Sequence, residues 1–267
     1  MPARGFRLSV VTATRNRREF LARCVESVAA QEHPDKEHIV VDGASSDGSA
    51  AYLAEAARRH PHLRFVSEPD DGPASAMNKG LALATGDAIG VLGDDDAYQP
   101  GTLESVARTF AAEPGVGLVS GNCDFVDNAG ALRFTQQASF TTRRDLIQCW
   151  RFWGTRICLP AAATFFSRKA LEAAGPFDAR LRYAMDYDHW IRLTEHARVL
   201  TLGRTLARFR YDEGSISHAA TPHQWNETLA ISRRYWGSAW TPGYWAHRIS
   251  CLWYYDRHRF FLWLKRL

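Results

Sequence analysis

The sequence predicts an α/β fold in which a mostly parallel central sheet is flanked by helices. Short apolar, β-branched segments alternate with longer segments whose apolar residues recur at helical spacing. This alternation is typical of crossover units that cover both faces of a parallel sheet. Hydrophobic residues make up 46% and charged residues 23% of the 267 positions. Such a composition indicates a globular chain with a sizeable core and argues against disorder.

The first two units of strand, loop and helix occupy the beginning of the chain. LSVVTA, residues 8–13, predicts a strand, and the polar TRNR leads into a helix over residues 18–30. The apolar face of that helix contains Phe20, Leu21, Cys24, Val25 and Val28. The second unit has a buried strand that ends at Asp42, a Gly/Ser-rich loop and a second amphipathic helix. The apolar face of the second helix contains Tyr52, Leu53, Ala56 and Ala57.

The third unit repeats the pattern, and after it the alternation weakens. LRFVSE predicts a strand, EPDDGP a polar turn, residues 74–84 a helix, and residues 88–92 a strand that ends just before three aspartates. After about residue 115, LVSGNCDFVD indicates a strand, and three later segments, RRDLIQCW, SRKALEAAG and YAMDYDHWIRLTEHA, indicate helices.

Polar side chains follow each of the predicted strands. They belong to the segments Thr12 to Arg15, Asp42, Asp70 to Asp71, and Asp94 to Asp96. Ligands of open parallel sheets bind outside the carboxyl ends of the strands. We therefore expect these residues, which are far apart in sequence, to converge on one rim of the sheet.

The stretch GVLGDDDAYQPG contains the triplet Asp94, Asp95 and Asp96. Adjacent carboxylates raise one another's pKa and cost stability unless a cation or strong donors offset their charge. Mg²⁺ and Mn²⁺ typically take one or two carboxylates and complete their coordination with water and substrate phosphates. The triplet therefore predicts a divalent cation beside a nucleotide diphosphate. The alternative is a solvated acidic turn that caps the helix predicted over residues 99–110.

Other residues at the rim suit the remainder of a nucleotide. The T-x-T-R segment offers the hydroxyls of Thr12 and Thr14 and the guanidinium of Arg15 to an anion at a helix start. Asp42 is placed to accept from a nucleobase or a ribose. The donor contacts expected from the third unit are Asp71, Asn78 and Lys79. Together these residues describe a metal-assisted pocket for a nucleotide diphosphate.

Four segments of the chain, in the same order, resemble the motifs of family 2 glycosyltransferases. They are SVVTATRNR, IVVDGASSDGS, SEPDDGPASAMNKGLALATGDAIGVLGDDDAYQPGTL and GPFDARLRYAMDYDHWIRL, and they run from about Leu8 to Leu193. The resemblance implies a GT-A-type, Rossmann-like fold, an activated nucleotide-sugar donor, a divalent cation (Mn²⁺ or Mg²⁺) and transfer with inversion at the anomeric carbon.

The resemblance also implies roles for single residues. The triplet matches the D-x-D region of the family, so Asp94, Asp95 and Asp96 would bind the metal and the ribose and phosphates of the donor, with Asp95 or Asp96 favoured as the direct ligand. Asp42 matches the nucleoside-binding aspartate. The matches to the loop around base and ribose are Thr12, Thr14 and Arg15.

The segment MDYDHW resembles the E-D-Y-D-x-W motif of the family, whose first aspartate corresponds to Asp186 and acts as general base. Met185 replaces the more usual Glu, which removes a charge next to the base. Inversion in one displacement requires a base that takes the proton of the acceptor hydroxyl as its oxygen attacks. The alternative is that Asp186 only caps its helix.

These observations predict an inverting glycosyltransferase that moves a sugar from a nucleotide-diphosphate donor, with a UDP-sugar favoured, to a hydroxyl acceptor. The expected acceptor is a glycan or lipid-linked saccharide of bacterial surface polysaccharide synthesis. A metal-dependent nucleotidyltransferase is the nearest alternative, but it would be expected to carry a Gly-rich phosphate loop, and TATRNR contains no glycine. A non-catalytic sugar-binding module would need neither the metal cluster nor the base.

The predicted organisation is one domain with an extension. Residues 1–215 form the glycosyltransferase domain, divided into a nucleotide-binding half (1–112) and an acceptor and catalytic half (113–215). Residues 216–267 form a helical extension rich in aromatic and basic residues. Six of the nine tryptophans lie in that extension, and residues 221–267 carry seven Lys or Arg against two acids. This composition is typical of a segment that binds an anionic membrane surface. The alternative is that the extension packs on the domain or on another subunit of a homo-oligomer.

Charge and cysteine usage limit the partners and the compartment. The net charge of +4 is small for a nucleic-acid binder, so no nucleic-acid partner is expected. The five cysteines include no C-x-x-C pair, which argues against a zinc site and for reduced thiols. No run of about 18 apolar residues occurs. We expect a cytoplasmic protein. We also expect the extension to associate peripherally with the inner face of the cell membrane.

Overall fold

A curled nine-stranded sheet organises the molecule, which we describe from a computed structural model over residues 5–148, 157–211, 221–236, 245, 248, 249, 252 and 253. The strands are β1 (Leu8–Thr14), β2 (Lys36–Asp42), β3 (Leu63–Ser67), β4 (Ala88–Val91), β5 (Ala97–Tyr98), β6 (Val116–Val126), β7 (Leu132–Gln136), β8 (Thr164–Ser167) and β9 (Arg198–Arg210). Their order is β3-β2-β1-β4-β8-β6-β9-β5, and β7 pairs with β6.

The described residues also form eight α-helices and one 3₁₀ turn. The helices are α1 (Arg18–Ala29), α2 (Ser49–Arg59), α3 (Pro73–Leu83), α4 (Thr102–Ala112), α5 (Arg143–Ile147), α6 (Arg168–Ala174), α7 (Met185–His196) and α8 (Thr221–Trp236), and the 3₁₀ turn is Ala161–Ala163. Helices cover the sheet, as the alternation of strands and helices in the sequence predicts. The predicted α/β fold is confirmed.

Strands β1 to β4 form the parallel part of the sheet. The central strand β1 pairs in parallel with β2 on one side and β4 on the other, and β2 pairs in parallel with β3. Almost all residues of β1, β2 and β4 are buried. Burial on both faces explains why these strands have continuous β-branched runs instead of an alternating pattern. These are the strands that the sequence predicts most directly.

The remainder of the sheet is mixed. Strand β8 runs antiparallel to β4 and to β6, β6 is parallel to β9, and β5 and β7 are antiparallel to their neighbours. Four of the eight strand pairings are therefore parallel: three of them join β1 to β4, and the fourth joins β6 to β9. Because β8 is antiparallel to both β4 and β6, strand β6 and its parallel neighbour β9 run in the same direction as β1. The carboxyl ends of β1, β2, β4, β6 and β9 consequently lie on one side of the sheet.

Helix α7 carries the predicted base and is almost completely enclosed. Its C-terminus is separated from β9 by Ala197 alone, so its first residues lie toward the side where the strands end. It packs on α5, α6, α8 and β6. For this reason the four consecutive residues Tyr187 to Trp190 are all fully buried, although consecutive residues point to different sides of a helix. The buried surface of α7 therefore covers more of its circumference than the single apolar stripe that the sequence indicates.

Helix α8, the first described element of the predicted extension, is docked on the domain. Ile231 of α8 is buried in the same cluster as Trp190, and the Ser232 hydroxyl donates to the Ile147 carbonyl oxygen at 2.7 Å. The boundary expected at residues 215 and 216 lies outside the described residues. Among the helices that the structure describes, we find none with a stretch long and apolar enough to cross a bilayer.

Candidate active site

The loops after β1 and β2 are joined to each other by hydrogen bonds. The Gly43 N–H donates to the Thr14 carbonyl oxygen at 2.9 Å, the Asn16 N–H to Ser45 Oγ at 2.7 Å, and the Ser46 N–H to Asn16 Oδ1 at 2.8 Å. Asn16 has a φ of 54°, a left-handed conformation that Asn tolerates better than most residues. The TATRNR loop and the Gly/Ser-rich loop therefore form one continuous wall of the rim.

Asp42 lies at the end of β2 and fixes the start of the second loop. Its carboxylate accepts from the Ser45 N–H at 3.2 Å, from the Ser45 hydroxyl and, at 2.6 Å, from the Ser67 hydroxyl at the end of β3. The residue is fully buried. Asp42 is thus at the predicted place, and its observed contacts hold together the ends of two adjacent strands.

The two threonines of the T-x-T-R segment occupy different environments. Thr12 is fully buried, with its hydroxyl oxygen 3.1 Å from His38 Nε2 and 3.7 Å from Cys24 Sγ. Two residues further along the same strand, Thr14 donates to Asp94 Oδ2 at 2.8 Å. Thr12 belongs to the core beneath the rim, and Thr14 lies at the rim itself. The expected contact of Thr12 with a nucleotide does not agree with its burial in this structure.

The exposed Arg15 approaches Asp70 across Gly43. A Cβ atom on Gly43 would meet Asp70 Oδ2 and lie 3.3 Å from Arg15 Cδ, so both side chains come close to the backbone at Gly43. Asp70 also accepts from the Gly72 N–H at 2.8 Å. Asp71, the aspartate named from the sequence, is exposed next to it. The structure brings Asp70 rather than Asp71 to the wall formed by the first two loops.

Asn78 and Lys79 contact the protein itself. Asn78 Nδ2 donates to the Phe177 carbonyl oxygen at 2.9 Å, and the Phe177 N–H donates to Asn78 Oδ1 at 2.8 Å. Lys79 Nζ lies 2.7 Å from Glu68 Oε1 and donates to the Pro69 carbonyl oxygen at 2.9 Å. Asn78 therefore ties α3 to the loop that leads to α7. The contacts of both residues with a donor remain predictions.

The aspartate triplet is buried and is held by two arginines that the sequence does not single out. Arg17 Nε lies 3.1 Å from Asp94 Oδ1, and Arg17 Nη2 donates to Asp95 Oδ2. Arg210 donates to Asp95 Oδ2 from Nε at 3.1 Å and from Nη2 at 2.8 Å, and its backbone N–H donates to Asp96 Oδ1 at 3.1 Å. Only 7% of Asp94 and 4% of Asp96 is exposed, so the alternative of a solvated acidic turn is wrong.

The pairing of β5 with β9 brings Arg210 to the triplet. Strand β5 begins directly after Asp96, and its Ala97 pairs with Arg208. The Arg210 guanidinium lies 4.0 Å from the ring centroid of Phe20 and donates to Asn128 Oδ1 at 2.7 Å. Like Asp42, Arg210 stands at the end of a strand. The sequence gives no signal of this position for Arg210, because the residues of β9 alternate irregularly between exposed and buried positions.

The electrostatics of the triplet favour further positive charge. Burial raises the pKa of Asp94 to about 6; Arg17 lowers it and the charge of Asp95 raises it. Burial, and then the charge of Asp95, raise the pKa of Asp96 well above its usual value. A raised pKa means that the ionised carboxylate is poorly stabilised by its surroundings. The two arginines therefore offset the negative charge only in part.

The triplet provides the oxygen ligands that a divalent cation prefers. Over the described part of the chain, no three His, Cys, Asp or Glu side chains form a ready-made metal site. Two carboxylate oxygens nevertheless converge beside Gly93, because a Cβ atom there would lie 2.6 Å from Asp96 Oδ2 and 3.2 Å from Asp95 Oδ1. Mg²⁺ needs only one or two carboxylates when phosphates complete its coordination. The residues fit a cation that a diphosphate ligand shares.

Asp186 is the second residue of α7. Its Oδ1 accepts from the N–H of the adjacent Tyr187 at 2.8 Å. This is not the contact of a helix cap, which lies before the helix and accepts from an N–H two or three residues further on. Burial raises the pKa of Asp186, and the negative charge of Glu227 adds to this effect. A carboxylate with a raised pKa is a stronger proton acceptor, so these properties suit a base.

Asp188, the second aspartate of the MDYDHW segment, lies in the core. It is fully buried and accepts from Arg192 Nε at 2.8 Å and from the Tyr235 hydroxyl at 2.9 Å. The residue cross-links α7 to α8. Its position away from the rim leaves Asp186 as the carboxylate of this segment that lies at the start of the helix.

Comparisons with known proteins agree with this architecture. The family model described as "Glycosyl transferase family 2" matches residues 9–175. An uncharacterized glycosyltransferase of Mycobacterium tuberculosis is 31% identical over 206 residues, which are 76% of this chain and 74% of the relative. An uncharacterized glycosyltransferase of Nostoc is 28% identical over 180 residues, 64% of this chain. The match spans about half, 54%, of the length of the Nostoc protein.

Solved structures resemble the chain in fold. Staphylococcus aureus TarS 1-349 in complex with UDP-GlcNAc has a TM-score of 0.67 at 19% identity, covering 85% of this chain and 66% of that one. The Pyrobaculum calidifontis mannosyltransferase in complex with GDP-Man and Mn²⁺ has a TM-score of 0.64 at 20% identity, covering 93% of this chain and 70% of that one. These likenesses confirm the predicted GT-A-type fold.

The segment matched by the family model contains Thr14, Asp42 and the aspartate triplet, and it ends before Asp186 and Arg210. The Mycobacterium relative extends the likeness over three quarters of the chain. On both grounds, the chain belongs to glycosyl transferase family 2.

Proposed function

We propose that this protein transfers a sugar from a nucleotide-diphosphate donor to a hydroxyl group of a saccharide acceptor, with inversion at the anomeric carbon. The observation that carries the proposal is the rim itself. Thr14 at the end of β1 donates to the buried Asp94 after β4, and the Thr14 carbonyl oxygen accepts from the loop that follows Asp42. Three strand ends thus present one continuous polar surface where ligands of α/β sheets bind.

The donor would lie along this surface. We assign the nucleoside to Thr14, Arg15 and Asp42, and the ribose and phosphates to Asp94 and the start of α3, where Asn78 and Lys79 stand. A UDP-sugar is the favoured donor, and the structure of similar fold solved with UDP-GlcNAc supports this choice. Arg15 and Arg17 would meet the negative charge of the diphosphate.

Mn²⁺ or Mg²⁺ would be held by Asp95 and Asp96, whose free oxygens converge beside Gly93. When bound, the cation supplies positive charge to the leaving diphosphate. A mannosyltransferase of similar fold was solved with Mn²⁺, which supports this assignment. Arg17 contacts both Asp94 and Asp95 and so keeps their carboxylates oriented toward that space.

Asp186 would act as the general base. In a single displacement, the acceptor oxygen forms a bond to the anomeric carbon while the bond from that carbon to the diphosphate oxygen breaks. The hydroxyl proton moves to the Asp186 carboxylate, and the nucleoside diphosphate leaves with the electron pair. The raised pKa of Asp186, caused first by burial, increases its affinity for that proton.

The composition of the C-terminal extension supports our proposals for the acceptor and the location. We propose a glycan or lipid-linked acceptor of surface polysaccharide synthesis, used at the cytoplasmic face of a membrane. The helical residues Trp245, Ile249, Leu252 and Trp253 are spaced to share one helical face, and each is more than 40% exposed. Tryptophan and aliphatic residues near an excess of basic residues suit the headgroup layer of an anionic membrane.

The proposal can be tested with a panel of nucleotide-sugars. For each member, binding and slow hydrolysis are measured with and without Mn²⁺. We expect one nucleotide class to bind, and its hydrolysis to depend on Mn²⁺. Asp95→Asn should weaken both the binding and the hydrolysis. Glu172→Gln, which neutralises an exposed carboxylate on α6, should change neither. Absence of binding to every member of the panel would overturn the proposal. Release of pyrophosphate from a nucleoside triphosphate and a sugar phosphate would indicate a nucleotidyltransferase instead.

A further inference from the structure

We propose that Glu227 on α8 is a positioning residue for the general base: it holds the backbone that immediately precedes Asp186 and supplies the carboxylate that Met185 does not provide. The inference rests on the proposed role of Asp186. Glu227 stands 41 positions after Asp186 in the chain. No feature of the sequence near MDYDHW indicates the contact.

Three consecutive backbone N–H groups donate to the Glu227 carboxylate. The Tyr183 N–H reaches Oε2 at 2.7 Å and the Ala184 N–H reaches it at 3.0 Å. The Arg182 N–H lies 3.0 Å from Oε1 and 3.2 Å from Oε2. These residues are the last three before α7 begins at Met185, so the carboxylate clamps the chain directly before the base.

The start of α7 needs such a partner. A helix leaves its first N–H groups without intrahelical acceptors, and its N-terminus favours negative charge. The capping position is occupied by Ala184, whose side chain has no hydrogen-bond acceptor, and no side-chain cap is present. Glu227 accepts from the backbone N–H of the capping residue Ala184, a contact that the Glu or Gln of a capping box makes in other helices, and from the N–H groups of the two residues before it.

Other contacts fix α8 against α7, so the clamp has a defined position. The Tyr235 hydroxyl donates to the buried Asp188 at 2.9 Å, and the Ser232 hydroxyl donates to the Ile147 carbonyl oxygen at 2.7 Å. On the side of α7, the Tyr187 hydroxyl donates to the same Ile147 oxygen at 2.9 Å. Both helices thus share an anchor on α5. Together with Glu227, these bonds determine where the Asp186 carboxylate stands.

The charge of Glu227 also acts on the base. Burial is the largest cause that raises the pKa of Asp186, and the negative charge of Glu227 is a further one. The family motif resembled by MDYDHW carries a Glu where this chain has Met185. The carboxylate of Glu227 restores negative charge near the base from a different element.

Two variants, Glu227→Ala and Glu227→Gln, test the inference. For each we would measure steady-state transfer, donor affinity and backbone hydrogen exchange. Glu227→Ala removes every acceptor, so kcat should fall by roughly 10- to 100-fold while the donor Kd stays unchanged, because small displacements of a reacting group cost about that much. Exchange of the N–H groups at residues 182–184 should accelerate. In Glu227→Gln the amide oxygen can still accept from Tyr183 and Ala184, so kcat should recover in part.

Thr228→Ala is the matched control, because it removes a hydrogen bond within α8, from Thr228 to the Gln224 carbonyl oxygen, at the residue next to Glu227 and without touching the clamp. It should lower the melting temperature and leave kcat unchanged, which separates positioning from general loss of stability. An unchanged kcat in Glu227→Ala, or unchanged exchange at residues 182–184, would overturn the inference. Failure of the proposed function is recognised separately: the unmodified protein would then show no transfer, and failure of the base assignment alone would appear as transfer retained by Asp186→Asn.

Discussion

Arg210 donates two hydrogen bonds to the same oxygen of Asp95, at 3.1 and 2.8 Å, across 115 positions of the chain. The contact joins the end of β9 to the loop after β4 and closes the rim. It also explains how three consecutive aspartates are tolerated in a buried place. Arg17 and Arg210 supply positive charge that an isolated acidic cluster would lack.

Arg210→Ala is expected to destabilise the protein and to increase its response to Mn²⁺. The Arg210 side chain is only 5% exposed, so its removal leaves Arg17 alone to offset the charge of the carboxylates, at a cost of roughly 3 kcal/mol in the free energy of unfolding. A cation bound at the triplet replaces part of the lost charge. Melting temperatures with and without Mn²⁺ provide the measurement.

The control for that experiment is Arg108→Ala, whose side chain is 73% exposed and contacts Glu104 on the same helix. It should change neither the melting temperature nor the Mn²⁺ response by a measurable amount. If Mn²⁺ shifts the melting temperature of Arg210→Ala and of the unmodified protein by the same amount, Arg210 and the cation do not act on the same carboxylates.

Asp188→Asn is expected to weaken the fold while leaving donor binding intact. Asp188 is fully buried and accepts from Arg192 and Tyr235, so neutralising it weakens charge-assisted hydrogen bonds and costs about 2 kcal/mol in the free energy of unfolding. Urea denaturation measures the loss, and a nucleotide titration measures donor affinity. A donor Kd raised tenfold with an unchanged free energy of unfolding would place Asp188 at the donor site instead.

Glu37 makes a predictable contribution to the dependence of stability on pH. Burial raises its pKa, but hydrogen bonds from Ser9 and Thr85 and the charge of Arg64 outweigh burial and lower the pKa from 4.5 to about 2. A lowered carboxylate pKa stabilises the fold above the unfolded value, and this contribution disappears as pH falls from about 4.5 toward 2.

Glu37→Gln should therefore cost roughly 3 to 3.5 kcal/mol at neutral pH, since each unit of pKa shift is worth about 1.4 kcal/mol. The difference between the two proteins should narrow as pH falls below about 4.5. Chemical denaturation at a series of pH values measures both quantities. A difference that stays constant down to pH 3 would contradict the assigned origin of the stabilisation.

Removal of residues 240–267 tests the proposed membrane contact. The deletion takes away Trp245, Ile249, Leu252 and Trp253 together with five basic residues, and it leaves α8 in place. Co-sedimentation with vesicles that contain anionic lipid should fall to the level seen with neutral vesicles. Unchanged sedimentation with anionic vesicles would assign that binding to another part of the protein.

The sequence is most informative where burial on both faces of the sheet dictates the pattern. Strands β1, β2 and β4 are almost wholly buried, so their apolar runs are unmistakable and the polar residues after them mark the rim. Strand β9 was not predicted, because its 13 residues alternate irregularly between exposed and buried positions. The two-residue strand β5 is too short to produce any periodicity.

The functional residues that the sequence did not reveal are those positioned by tertiary contacts. Arg210 depends on the pairing of β5 with β9, and Glu227 depends on the docking of α8. Thr12 shows the opposite error. Because β1 continues to Thr14, the hydroxyl of Thr12 lies inside the sheet, although it belongs to the same polar motif.

The central claim is that Asp186 accepts the proton of the acceptor hydroxyl while the rim of Thr14, Asp42 and the aspartate triplet binds the donor. Transfer by Asp186→Asn, measured beside the donor Kd of the same variant, tests it most directly. The account predicts that transfer falls to background while the donor Kd stays within about twofold of the unmodified protein. Transfer at the rate of the unmodified protein would remove Asp186 from the mechanism and contradict the account.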